Sequence, residues 1–145
     1  MTPSPRKTKV LFVCIGNMCR SPMAEGFARQ FGDDILEVYS AGTNATGVIS
    51  EDSIELMREL KIDISGAVSN GLKAVPVAEM DVVVSMAPSR ARTLVPHGFQ
   101  GKTIDWKVED PVGKSLVVFR RVRDQLRGLV QQLVDDIRRE RDRAA

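Results

Sequence analysis

The chain has 145 residues, 43% hydrophobic and 28% charged, with a formal net charge of +2, two cysteines and one histidine. That length suits one compact domain with its own core, and two cysteines with one histidine exclude a disulfide scaffold or a four-ligand zinc site. No apolar run approaches the ~20 residues of a membrane span, so no membrane partner, metal or other cofactor is expected.

Residues 1–8 (MTPSPRKT) carry prolines and basic groups, and the apolar segment behind them is about half as long as a signal peptide's and lacks a cleavage site. The expectation is a flexible start over 1–8, one domain over 9–140 and a frayed end over 141–145, in a cytoplasmic protein. Lys9 to Cys14 (KVLFVC) is a continuous apolar run between charge and a glycine-bearing loop, as in a strand covered on both faces and central in its sheet. After that loop, Ser21 reads as the N-cap and Pro22 as the first residue of a helix. Met23, Phe27 and Phe31 recur along it until Gly32.

Ile35 to Ser40 (ILEVYS) reads as a second strand ending in AGT, and Ser50 caps a helix bearing Ile54, Met57 and Leu60. Ile62 to Val77 is turn-rich, with one helical turn near Leu72. Met80 to Met86 (MDVVVSM) is a buried strand, Ser89 to Leu94 a short helix, and Lys102 to Trp106 (KTIDW) a fourth strand. A long helix spans about Ser115 to Arg139, with Phe119, Val122, Leu126, Leu129, Leu133 and Ile137 as its apolar stripe. Its arginines are interleaved with acids and no aromatic ladder accompanies them, which reads as a solvated face and not a nucleic-acid patch.

Alternating strands and helices predict an α/β fold: a single-domain open parallel sheet with helices on both faces. In such sheets ligands sit beyond the carboxyl ends of the strands, where Cys14 lies. A short loop from a buried strand into a helix N-terminus can turn successive N–H groups inward and hold a compact oxyanion. Those donors and Arg20 would stabilise a thiolate on Cys14, making it a nucleophile, while the Arg20 fork grips two oxygens of a phosphoryl group. Alone, such a cysteine reads as a small buried hydrophobe and such an arginine as a surface residue. Cysteine, five residues, arginine and serine together form the pattern of cysteine-dependent phosphatases.

VLFVCIGNMCRSPMAEG, followed by VYSAGT, LKIDIS, MDVVVSM and EDP, resembles the low-molecular-weight protein tyrosine phosphatases and the arsenate reductases that share their fold. The resemblance implies a four-stranded parallel sheet and a covalent phosphocysteine intermediate. It makes Cys14 the nucleophile and Arg20 the oxyanion clamp, with Ser21 donating to the thiolate and Asp110 acting as the acid for the leaving oxygen. Glu109 or Asp105 could replace Asp110 on physical grounds. Ile15, Gly16, Asn17, Met18, Cys19 and Arg20 would line the substrate site. Asn17 would support the loop through hydrogen bonds with Ser40, although a plain turn asparagine also fits that position. In related phosphatases a loop cysteine pairs reversibly with the nucleophile, a role Cys19 could take.

The main expectation is a phosphatase acting on phosphotyrosine proteins or small aryl phosphates. The alternative is arsenate reduction with Cys14 and an external thiol, since the two mid-chain relay cysteines of the thioredoxin-coupled reductases are missing. Pro22 matches the phosphatases, whereas EDPVGKSLVVFRRVRDQL resembles the end of the reductases, with Val112 and Gly113 where the phosphatases carry an aromatic pair. A non-catalytic anion-binding module is a second alternative. A papain-like hydrolase ranks below these, because it needs a histidine and the only one, His97, sits in VPHGF, which reads as a turn.

Overall fold

A computed structural model describes residues 6–144; the first five residues of the expected flexible start and the last residue of the expected frayed end lie outside the described residues. The chain alternates β1 (Thr8–Cys14), α1 (Arg20–Gly32), β2 (Leu36–Gly42), α2 (Glu51–Arg58), β3 (Val82–Ser85), α3 (Ala91–Leu94), β4 (Lys102–Asp105) and α4 (Leu116–Ala144). Two 3-10 turns, Leu72–Ala74 and Val77–Glu79, punctuate the passage before β3, the first of them at the expected Leu72. All strands are parallel in the order β2-β1-β3-β4, so β1 is central. This is the expected single open four-stranded sheet.

The apolar run of β1 splits by strand alternation between two cores. Val10, Phe12 and Cys14 face one core with Phe27 of α1 and Leu126 and Val130 of α4, whereas Leu11 and Val13 face another with Val83 and Ala91. Val10 to Val13 are fully buried, and each such side chain contributes about 1.5–3 kcal/mol of burial free energy. With both faces covered, β1 holds its C-terminal end in one place, and that end carries Cys14.

Three local expectations are corrected. Helix α1 starts at Arg20 with Cys19 in the N-cap position, so Ser21 is already helical and its hydroxyl is engaged elsewhere. Strand β2 extends to Gly42, where it pairs with Cys14. Helix α4 runs to Ala144, where fraying was expected from 141, because Arg138 pairs with Asp34 at 2.7 Å and Arg141 donates to Arg6 O at 2.9 Å and Thr8 Oγ1 at 3.0 Å. These bonds also tie down residues 6–8. Val130 and Val134 join the buried stripe of α4, whereas Leu129 is only partly buried. Ser50 caps α2 as expected, its hydroxyl accepting from Ser53 N. Among the described residues no helix is long and apolar enough to cross a membrane.

Candidate active site

The loop 15–19 curls between the end of β1 and the start of α1, and the segment that follows β2 ties the carbonyls of Cys14, Ile15, Gly16 and Met18 outward. Thr43 N donates to Cys14 O at 3.0 Å, Asn44 N to Ile15 O at 2.8 Å, Thr46 N to Gly16 O at 3.0 Å and Ser50 N to Met18 O at 2.9 Å. Ser69 Oγ adds a second bond to Gly16 O at 3.1 Å. With the carbonyls held outward, the backbone N–H groups of Ile15 to Cys19 have no partner among the described residues. Such a row of donors at a helix N-terminus is an anion-binding nest.

Gly42 is required where β2 meets this loop. A Cβ there would lie 2.5 Å from Ile15 O and 2.8 Å from Asn17 N, both backbone atoms that cannot swing aside. Asn17 takes a left-handed φ of 48°, a region that asparagine enters more readily than most residues. Its side chain then spans two elements: Oδ1 accepts from Asn70 N at 2.6 Å and Nδ2 donates to Ser21 Oγ at 2.7 Å.

That amide orientation sets the direction of the next bond. Ser21 Oγ accepts from Asn17 and lies 2.9 Å from Cys14 Sγ, so toward a thiolate, which has no proton, the hydroxyl donates. A directional chain therefore runs from the Asn70 N–H through Asn17 and Ser21 to the sulfur. Ser21 and Asn17 are fully buried and Cys14 is 2% exposed, which screens the chain from competing water.

Arg20 is 4% exposed, and backbone carbonyls from two other segments hold its guanidinium. Its Nη1 donates to Met86 O at 2.6 Å, just after β3, and to Val108 O at 2.9 Å, beyond β4. Nη2 lies 3.7 Å from Asp110 Oδ2, and Nε and Nη2 have no hydrogen-bond partner among the described residues. Asp110 stands at the edge of the cluster with its other oxygen accepting from Val112 N at 3.1 Å. The alternative carboxylates are otherwise engaged: Glu109 pairs with Lys114 and Arg121, which hold it below the usual carboxylate range, and Asp105 accepts from Ala91 N.

The expected Asn17–Ser40 contact is corrected. Ser40 lies level with Phe12, two residues short of the strand end, and its hydroxyl donates to Glu25 of α1 at 2.6 Å. Asn70 takes the place expected of Ser40. Cys19 is 2% exposed and packs with Leu56, Phe119 and Met18, and this burial pushes its thiol up, offset in part by the neighbouring Ser53 and Ser50 hydroxyls. Both cysteines are free. Trp106 is packing: its ring centroid lies 5.9 Å from that of Phe12.

The supports missed in the sequence are Thr43, Asn44, Thr46, Ser69, Asn70, Met86 and Val108. Most contribute backbone atoms, which carry no residue signature, although the glycine of SAGT was a signal for close approach. The exposed large hydrophobics among the described residues, Val48, Val68, Val112, Leu116 and Val117, belong to the segments that support the loop or follow Asp110. They are aliphatic throughout. No group of three or more histidine, cysteine, aspartate or glutamate side chains among the described residues is placed to hold a metal ion.

Comparison with known proteins sharpens the reading. The family model described as low molecular weight phosphotyrosine protein phosphatase matches residues 9–143. The chain is 40% identical over 129 residues to the glutaredoxin arsenate reductase of Synechocystis sp., covering 89% of this chain and 98% of that protein. It is 35% identical over 130 residues to arsenate reductase 2 of Staphylococcus saprophyticus, covering 90% of this chain and 98% of that one. A solved structure described as an arsenate reductase in the phosphate binding state superposes with a TM-score of 0.80 at 37% identity, covering 90% of this chain and 98% of that chain. These relatives overturn the expected phosphotyrosine and aryl phosphate hydrolase, and with it the tyrosine phosphatase activity: both of these curated proteins, matched over 98% of their length, are arsenate reductases.

Proposed function

The chain belongs to the low molecular weight phosphotyrosine protein phosphatase family of enzymes, and on that footing we propose that it is an arsenate reductase using Cys14 as nucleophile and an external thiol as electron donor. The observation that carries the reading is its 40% identity to an arsenate reductase over nearly that protein's whole length. The site's chemistry supports it. The nest at 15–19 and the Arg20 fork suit a tetrahedral oxyanion, and arsenate has the size and charge of phosphate.

The Cys14 thiolate attacks arsenic: an S–As bond forms, an As–O bond breaks, and the oxygen leaves as water with protons from arsenate and solvent. Arg20 and the loop N–H groups hold the remaining oxygens as charge redistributes. An external thiolate then attacks Cys14 Sγ, so that an S–S bond forms, the S–As bond breaks, and arsenic departs with the bonding pair as arsenite. A second external thiol exchanges into the mixed disulfide and frees Cys14. One arsenate and two thiols become one arsenite, one disulfide and one water; arsenic gains two electrons and each external sulfur loses one.

The second sulfur comes from outside because the chain offers only Cys19 besides Cys14, and Cys19 is buried under Leu56 and Phe119. A glutaredoxin donor is supported by the name of the Synechocystis relative, and such thiols belong to the reducing cytoplasm. Ser21 donates to the sulfur both as it attacks and as it is displaced from arsenic.

The test is a paired assay: arsenate-dependent thiol oxidation with glutathione and glutaredoxin, and hydrolysis of para-nitrophenyl phosphate. Arsenite formation that disappears in Cys14→Ser is the expected result. Ester hydrolysis without arsenate-dependent thiol consumption would refute the reading.

A further inference from the structure

We propose that Ser69 is a positioning residue that latches the Gly16–Asn17 peptide with its N–H facing the oxyanion site. The inference deepens the oxyanion reading of the loop and rests on it. Ser69 is half-buried in the irregular stretch between α2 and β3, far from Gly16 in sequence. Its hydroxyl donates to Gly16 O at 3.1 Å and accepts from Gly47 N at 3.1 Å. One side chain thus joins the anion loop to the segment beside it.

The peptide it holds has an alternative orientation. A peptide plane turns as a unit, so rotating the Gly16–Asn17 plane by about half a turn changes only ψ of Gly16 and φ of Asn17. Asn17 now sits at φ 48°, in the left-handed region. The rotation carries its φ back to negative values, out of the range that side chains rarely adopt. Glycine at 16 tolerates the accompanying change in ψ. In the turned state a carbonyl oxygen replaces the Asn17 N–H in the nest and repels an oxyanion. The observed state therefore depends on what grips Gly16 O, and the two strong donors to it are Thr46 N, at 3.0 Å, and Ser69 Oγ. Two donors fill both lone pairs of the carbonyl.

Asn70, the next residue, strengthens the latch through its bond to Asn17 Oδ1. Ser69 contributes through its side chain and is open to substitution, whereas the Asn70 contact uses backbone. A loosened latch lowers oxyanion affinity in proportion to the fraction of loops left competent.

The experiment compares the full chain with Ser69→Ala, Ser69→Thr and Ser69→Cys, using inorganic phosphate as the probe. Titration calorimetry should show Ser69→Ala binding phosphate about tenfold more weakly, the effect of one hydrogen bond. Ser69→Thr, which keeps the hydroxyl, should bind like the unaltered chain, and Ser69→Cys, a weak donor of similar size, should fall between. In amide NMR spectra of the free protein, the Asn17 resonance should move in Ser69→Ala while core resonances stay in place, and it should return at saturating phosphate. An unmoved Asn17 resonance, or unchanged phosphate affinity in Ser69→Ala, would overturn the latch. Failure of the unaltered chain to bind phosphate would instead overturn the oxyanion reading, and the free-protein Asn17 resonance still judges the latch.

Discussion

Ser21 Oγ lies 2.9 Å from Cys14 Sγ while accepting a 2.7 Å bond from Asn17 Nδ2, so its one proton is available to the sulfur. A hydrogen bond to a charged group is worth about 1.5–3 kcal/mol. Ser21→Ala should therefore lower kcat for arsenate reduction roughly ten- to a hundredfold. Because Ser21 does not contribute to the nest, inorganic phosphate should still inhibit with a similar constant. Steady-state kinetics with phosphate as competitor separates the two effects.

Arg20 separates charge from geometry. Lysine keeps the positive charge but has no planar fork to bond Met86 O and Val108 O while leaving donors for a ligand. Arg20→Lys should lower kcat/KM for arsenate by roughly 10²–10³-fold, the scale of one lost oxyanion donor. Thermal melts should show whether the protein remains folded.

Asp110 should matter less here than in ester hydrolysis. It lies beside Arg20 at 3.7 Å and stands 43% exposed, well placed to protonate a departing alkoxide. Arsenate brings hydroxyl protons of its own, so Asp110→Asn should reduce arsenate turnover by less than about tenfold, against the roughly 10²–10⁴-fold typical of a general acid. Arsenate-dependent thiol oxidation by this variant and the unaltered chain measures the loss.

Gly42→Ala tests the close approach of β2 to the loop. The new Cβ meets Ile15 O at 2.5 Å and Asn17 N at 2.8 Å, so the loop must shift. An overpacking cost of about 1–3 kcal/mol corresponds to a fall in Tm of roughly 3–10 °C. Phosphate affinity should fall with it, because the displaced atoms belong to the nest. Calorimetric melts with and without phosphate measure both.

Glu59 provides a pH signature unrelated to the active site. Arg120 bonds it most strongly and Arg123 next, together pulling its carboxyl down from 4.5 to about 2 and fastening α2 to α4. A carboxyl depressed on folding stabilises the protein above its unfolded value near 4.5 and loses that contribution as pH falls toward 2. The Tm difference between the unaltered chain and Glu59→Gln should be constant above about pH 5 and shrink below it. Thermal melts across pH 2 to 7 would record it.

By itself the sequence determined the strand and helix order and the central place of β1. Those follow from hydrophobic periodicity, a local property of side chains. It also placed Cys14, Arg20, Ser21 and Asp110 in the motif, because thiol, guanidinium, hydroxyl and carboxyl are side-chain chemistry that a motif can carry. The start of α1 was misread because Ser21 has the composition of a cap, and only the packed loop shows its hydroxyl engaged with Cys14 and Asn17. Ser40 was misplaced because the SAGT motif does not reveal that Cys14 pairs with Gly42. Tertiary structure alone decided which way the loop faces. Thr43, Asn44, Thr46, Ser50 and Asn70 act there through their N–H groups, and Met86 and Val108 through their carbonyls. Nearly every residue carries the same backbone donor and acceptor, so their use at a site leaves no mark in the sequence and emerges only when the segments meet.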